Sequence, residues 1–297
     1  MSAAAETRGL AWGFVAVAAF SLTLPATRAA VAALDPWFVA LGRGAVAGLI
    51  ALPVLALTRS RRPTATEWRS LALSSLGVVF AFPALMSWAL TRVPAAHGAV
   101  VLAILPLATA AAGAWVAHER PSRGFWIAAA AGSLAVLGFA LRAGGGAPQA
   151  ADGALLVGLA VAALGYALGA RAARTLGGWR AISWTLVLCL PVLLPVAALT
   201  APRDLAMVPA QAWAGFLYVA IVSQYVGFFA WYHGLALGGI ARVGQLQLLQ
   251  PFLTIAASVL WLGERIEPGL LAFAGIVVAI VAIGRRMPVA RGDDAPR

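Results

Sequence analysis

Four polar side chains in the stretch 244–263 recur at helical intervals. Gln247, Gln250, Thr254 and Ser258 are three, four and four residues apart, which puts them on one face of a helix. The residues around them are largely apolar, so in lipid this face turns inward, either to bond neighbouring helices or to line a wet cavity. Amides and hydroxyls placed this way can orient a small polar molecule, which makes Gln247, Gln250 and Thr254 candidate substrate-binding residues. Pro251 frees the carbonyl four residues back, at Gln247, and so could add a kink and an acceptor there. Upstream, Tyr225, Phe228, Phe229 and Tyr232 share one side of a helix with Gln224 adjacent. Aromatic faces with a few hydroxyls and amides suit a small-molecule wall, and they equally suit plain packing. Phe82, Pro83 and Met86 occupy the corresponding place in the first half of the chain.

The ionisable residues divide by depth. Arg43 lies seven residues past Pro36, roughly 10 Å along a helix that rises ~1.5 Å per residue. A charge at that depth is a functional candidate, unless its stem packs while its head snorkels to the interface. His97 and Arg242 are 145 residues apart, each near the start of its helix, and read either as gates on opposite faces or as interfacial anchors. Glu119 and Glu264 share that interval and stand at helix ends, where a carboxylate can cap the exposed N–H groups of the next helix. No Asp or Glu falls mid-span, which disfavours proton coupling through a buried carboxylate and leaves His97, His233 or simple downhill movement. Catalytic material is thin. There is no phosphate-binding G-x-x-x-x-G-K-[ST] loop and no H-E-x-x-H, Cys189 is the single cysteine, and three His are all the chain holds. No metal, cofactor or enzymatic activity is expected.

Composition explains what holds these residues. At 62% hydrophobic and 10% charged, the chain has too few charges to cover a soluble surface, where about 25% is usual. It is read as an integral membrane protein. Runs free of acidic residues and Arg lie at 9–27, 44–58, 70–91, 93–117, 124–141, 153–170, 181–202, 205–241, 243–263 and 268–284, most of them near the ~20 residues that cross a bilayer as a helix. The short run 44–58 is extended across Arg43 to Asp35-Pro36-Trp37, and the long run 205–241 is read as one helix near 211–235. The expected fold is therefore an all-α polytopic membrane protein with ten transmembrane helices.

Pro251, Glu264 and Arg265 repeat Pro106, Glu119 and Arg120 at an offset of 145 with no gap. The ten helices thus fall into two five-helix repeats, 9–142 and 153–286, joined by a linker at 143–152 and followed by a tail at 287–297. Five is odd, so the second repeat is inverted relative to the first. All 21 basic residues are Arg. With the N-terminus inside, five fall in outer loops (Arg28, Arg92, Arg142, Arg203, Arg265), Arg43 lies within a span, and the other fifteen are on the inner side. This bias puts the N- and C-termini in the cytoplasm. Scattered between apolar runs, these Arg residues serve anionic headgroups rather than nucleic acid. The Trp residues near span ends, including Trp12, Trp68, Trp179 and Trp261, agree with an interfacial belt.

Ten spans in two inverted repeats, each with a Glu at the end of its fourth helix, resemble the drug/metabolite transporter superfamily. The section from Gly227-Phe228-Phe229-Ala230-Trp231-Tyr232 through Leu249-Gln250-Pro251 to Gly263-Glu264 resembles its EamA-type members. The first repeat departs from that pattern in having His118 where a Gly is usual. The resemblance implies a secondary transporter of a small metabolite, an amino acid or related compound, exporting it across the inner membrane of a bacterium by alternating access, as a monomer or homodimer. The alternative from another class is a scaffold or a lipid-modifying enzyme in the membrane.

Overall fold

A computed structural model of the chain describes residues 3–118, 120–124, 126–127, 130–131, 134–135, 138, 149–265, 268–285 and 289–290. Glu119, most of the expected linker and most of the expected tail lie outside these residues. Eight helices among them are long and apolar enough to cross a membrane: α1 (Thr7–Val31), α2 (Phe38–Leu57), α3 (Ala65–Ala89), α4 (Ala95–Val116), α5 (Ala150–Leu176), α6 (Gly178–Thr200), α7 (Ala210–Gly238) and α8 (Ile240–Leu262). A further helix, α9, runs over Pro268–Arg285. Part of the expected span at 124–141 is undescribed; its described residues up to 138 are helical. The only strand pairing among the described residues is two residues long and joins Arg120–Pro121 to Val289–Ala290.

The helices run past the charge-free segments that announce them. Arg28, expected in a loop, belongs to the last turns of α1 and donates to the Leu90 carbonyl. Arg171 and Arg174 are likewise inside α5. A cation at a helix C-terminus meets the negative end of the dipole, so a helix need not stop before it. The segment expected near 211–235 is the helix α7, and Gly239 at φ 88° turns it straight into α8. That positive φ is open to glycine at little cost.

Two pairs of helices meet through small residues. α1 runs antiparallel to α7: a Cβ on Gly9 would come within 2.5 Å of the Gly238 amide nitrogen, and one on Gly234 within 2.9 Å of the backbone of Gly9 and Gly13. α5 runs antiparallel to α3, with Gly158 facing Phe82 and Leu85, and Ser74 Oγ donating to the Gly165 carbonyl at 2.7 Å. At the 145-residue offset, α5 and α7 answer to α1 and α3, so these two contacts are counterparts. The remaining mates pack on each other. Gly44 and Gly48 of α2 face Leu193 and Leu190 of α6, and α4 crosses α8 with Thr109 against Gly244 and Ala95 against Glu264. Both mate pairs are antiparallel. Large apolar side chains such as Leu57, Leu199 and Leu260 are more than four-fifths exposed on the outer surface, the arrangement expected of a surface that meets lipid.

Most of these helices are interrupted near mid-length. α1 breaks at Leu22 ahead of Pro25, and α2 opens with a π-helical turn at Phe38–Gly42. α3 carries π-helix at Leu76–Ala81 ahead of Pro83, and α7 carries it at Tyr218–Val226 ahead of Gly227. α4 is broken at Ala103–Ile104 ahead of Pro106, and α8 passes through a 3-10 segment at Gln245–Leu249 ahead of Pro251. Moved by 145 residues, the α3 interruption falls within that of α7, and the α4 break falls within that of α8. Proline removes the amide that would continue the ladder, and π turns often mark working parts of a helix. By contrast, α5 and α6 run unbroken.

Candidate substrate-binding cavity

The interruptions converge on one small space. Its wall takes Thr23 and Leu24 from the break in α1, Arg43 from just after the π turn of α2, and Val78 and Phe82 from α3. Leu102 and Leu105 flank the break in α4, Tyr166 comes from α5, Ser223, Gln224 and Phe228 from α7, and Gln250 from α8. Both halves of the chain contribute. The open volume is about 20 Å³, room for about one water.

Arg43 dominates the cavity's chemistry. It is 2% exposed, and its Nη2 donates to Ser223 Oγ at 3.0 Å. The Ser223 hydroxyl also shares a hydrogen bond with Thr23 Oγ1 at 2.8 Å. The other two guanidinium nitrogens, Nε and Nη1, are buried without a partner. Neither of the two ion pairs among the described residues includes Arg43. Unpaired buried charge is costly, and native proteins retain it where it has work to do. Gln224 Nε2 is committed to the Val78 carbonyl at 3.2 Å, within the π segment of α3. Gln250 reaches the Phe20 carbonyl through Nε2 at 3.5 Å, while its Oε1 is buried without a partner.

Of the residues singled out in the sequence, Arg43, Gln224, Gln250, Phe82 and Phe228 line this cavity. The others do not. Gln247 accepts from Thr109 Oγ1 at 3.1 Å, and the carbonyl expected to be freed by Pro251 is taken by the Gln250 amide. Thr254 donates to the Ser21 carbonyl at 2.7 Å, the very group that Pro25 leaves without its helical partner. Ser258 bonds back to its own helix at Thr254. Tyr225 and Tyr232 share hydrogen bonds with Ser183 and Ser74, each at 3.0 Å, and Phe229 stands edge-on to Tyr225 with ring centroids 4.5 Å apart. Apart from the Ser258 and Phe229 contacts, which stay within one helix, these join one helix to another. Thr23, Tyr166 and Ser223 were not singled out; Ser223 next to Gln224 in an apolar run was the legible signal.

The charged residues at the ends of the helices tie segments together. The Glu264 carboxylate, expected to cap the helix that follows it, accepts from the amides of Ala95 and Ala96 at 2.9 and 3.0 Å. It caps α4, in the other half of the chain, because the antiparallel crossing brings the end of α8 to the start of α4. His97, one turn into α4, meets Asp152 at 2.6 Å in a buried pair, and Asp152 also accepts from the Gln149 amide at the start of α5. Arg242 is exposed in the first turn of α8. At the start of α3, Arg61 reaches both oxygens of Glu67 at 2.7 and 2.9 Å, and Thr175 at the end of α5 donates to Glu67 as well. The hydrogen bonds to the Glu67 carboxylate raise the Arg61 pKa above its ordinary value.

A small space lined by both polar and apolar side chains, at the interruptions of helices drawn from two related halves, is the arrangement found in secondary transporters. The sequence agrees: residues 7–141 and 150–284 both match the EamA-like transporter family model. The chain belongs to the EamA-like transporter family. It is 44% identical over 280 residues to a Bacillus subtilis protein named as the uncharacterized transporter YdeK, covering 94% of this chain and 98% of that one. It is 26% identical over 241 residues to a probable terminal-alkyne amino-acid exporter of Streptantibioticus cattleyicolor, with 79% of each chain covered. A solved crystal structure, described only as that of a protein, shares the fold with a TM-score of 0.66 at 19% identity, over 94% of this chain and 98% of the other.

Proposed function

We propose that the protein is a secondary exporter of a small metabolite, an amino acid or related compound, working by alternating access in the inner membrane of a bacterium. The observation that carries this reading is the small cavity around the unpaired Arg43 guanidinium, walled by both halves of the chain. Two further observations support it. The mates α2/α6 and α4/α8 run antiparallel, as two inverted five-helix repeats within 9–142 and 153–286 require. A distant relative named as a probable amino-acid exporter supports the proposed direction and substrate range. In this reading the linker spans 143–152, both termini are cytoplasmic, and the cavity opens to each face in turn. The staples at the helix ends are parted and remade in the cycle, with His97 and Arg242 at opposite gates.

The test compares extracellular metabolites from cells overexpressing the protein with those from cells carrying an empty vector. One compound or class should accumulate outside only with the protein, and no such compound would sink the reading. With that compound in hand, Q250A and Q224A should lower export several-fold at unchanged membrane abundance, since a lost hydrogen bond of ~1 kcal/mol is about a fivefold effect. Y232F should leave export intact, because the Tyr232 hydroxyl serves Ser74.

A further inference from the structure

Resting on that reading of the cavity, we infer that the substrate crosses as a monoanion, a small carboxylic acid whose carboxylate is received by Arg43 and whose single neutral donor, a hydroxyl or an amide N–H, is received by Gln250. The cavity states its own complement in unmet hydrogen bonds. Two donors without acceptors, Arg43 Nε and Nη1, belong to one guanidinium, and a planar fork of donors matches the two oxygens of a carboxylate. One acceptor without a donor, Gln250 Oε1, belongs to the same wall. No Asp or Glu is among the described lining residues, so a substrate ammonium would find no counter-charge there. Phe20, Phe82 and Phe228 supply an apolar wall for the rest of the molecule.

The charge count has an energetic consequence. Arg43 stays with the protein, so each outward passage of the substrate carries one negative charge out of the cell. An inside-negative membrane potential drives that movement, about tenfold in accumulation ratio for every ~59 mV. Export of this kind requires no proton or sodium site, which fits a cavity wall without a carboxylate.

The experiment uses molecules of one shape that differ in charge. Thermal melting of the purified full chain is followed with phenyllactate, phenyllactamide and phenylalanine, and with the smaller set lactate, lactamide and alanine. The hydroxy acid of at least one set should raise Tm by several degrees, with its amide and its amino acid at least tenfold weaker. R43Q should abolish that rise while the substrate-free variant still melts cooperatively, and R43K, which keeps the charge and loses the fork, should weaken it. Stabilisation by the amide or the amino acid equal to that by the hydroxy acid would overturn the inference, as would no stabilisation by either hydroxy acid. The metabolite comparison separates the two levels. A neutral or cationic compound accumulating outside would sink the monoanion and leave the exporter standing, whereas nothing accumulating would sink the exporter itself.

Discussion

Arg43 donates one hydrogen bond, to Ser223, while two of its nitrogens have no partner in a site 2% exposed. A residue kept for stability is not left like this. Taking a charge out of water is costly, and even whole buried ion pairs can be replaced by neutral side chains of similar volume at no loss or a gain of about 1–4 kcal/mol, so R43Q is expected to leave the substrate-free Tm unchanged or raised while export falls to background. A fall in Tm would mean that the guanidinium holds the helices together and that its unmet donors are incidental. Arg43 was legible in the sequence because depth alone marks a charge within a span. The polar face at Gln247, Gln250, Thr254 and Ser258 was legible as a face and not as a site. Spacing shows that side chains point the same way, but partners on other helices decide what they do. Thr109 and the Ser21 carbonyl claim two of the four, and neither lies near them in sequence.

At the scale of helices, the carboxylate of Glu264 is the clearest case of one element completing another. It covers two amides at the start of α4, groups that a helix leaves without internal partners, and it sits at the positive end of the dipole. E264Q replaces one acceptor oxygen with a donor facing an N–H group, and a loss of about 1–2 kcal/mol is expected, read as a lower Tm of the purified protein. A loss below ~0.5 kcal/mol would mean that water serves those amides equally well. Sequence marked the residue and its chemistry but not its partners in α4. The helix that follows is the nearest in the chain, whereas the antiparallel crossing of α4 and α8 brings a more distant one into reach. The interruptions were partly legible for the same reason in reverse. Pro83, Pro106 and Pro251 each follow a break and Pro36 precedes the π turn of α2, yet the π segment of α7 has no proline beside it to announce it.

For the whole molecule, the antiparallel pairing of α2 with α6 sends the loop after α2 and the loop after α6 to opposite ends of the bundle. Cysteines at Arg62 and Arg203, both exposed, should therefore be labelled by a membrane-impermeant thiol reagent from opposite faces, R62C from inside and R203C from outside. The native Cys189 is buried and gives little background. Labelling of both from one face would remove the inverted arrangement. Class and duplication were legible from length, hydropathy and an offset, because lipid leaves a chain few ways to satisfy its backbone. The cavity was not, since it exists only where six interruptions meet. Those interruptions are not shared equally by the halves. The pairs α3/α7 and α4/α8 are interrupted at matching places, whereas α5 and α6 are whole where α1 and α2 are not, and α6 has no cation beyond Arg180 near its start. The position that answers to Arg43 at the 145-residue offset is Leu188. The cavity therefore presents its guanidinium from one half alone, and a bound molecule meets two chemically different sides, which fixes one orientation for it.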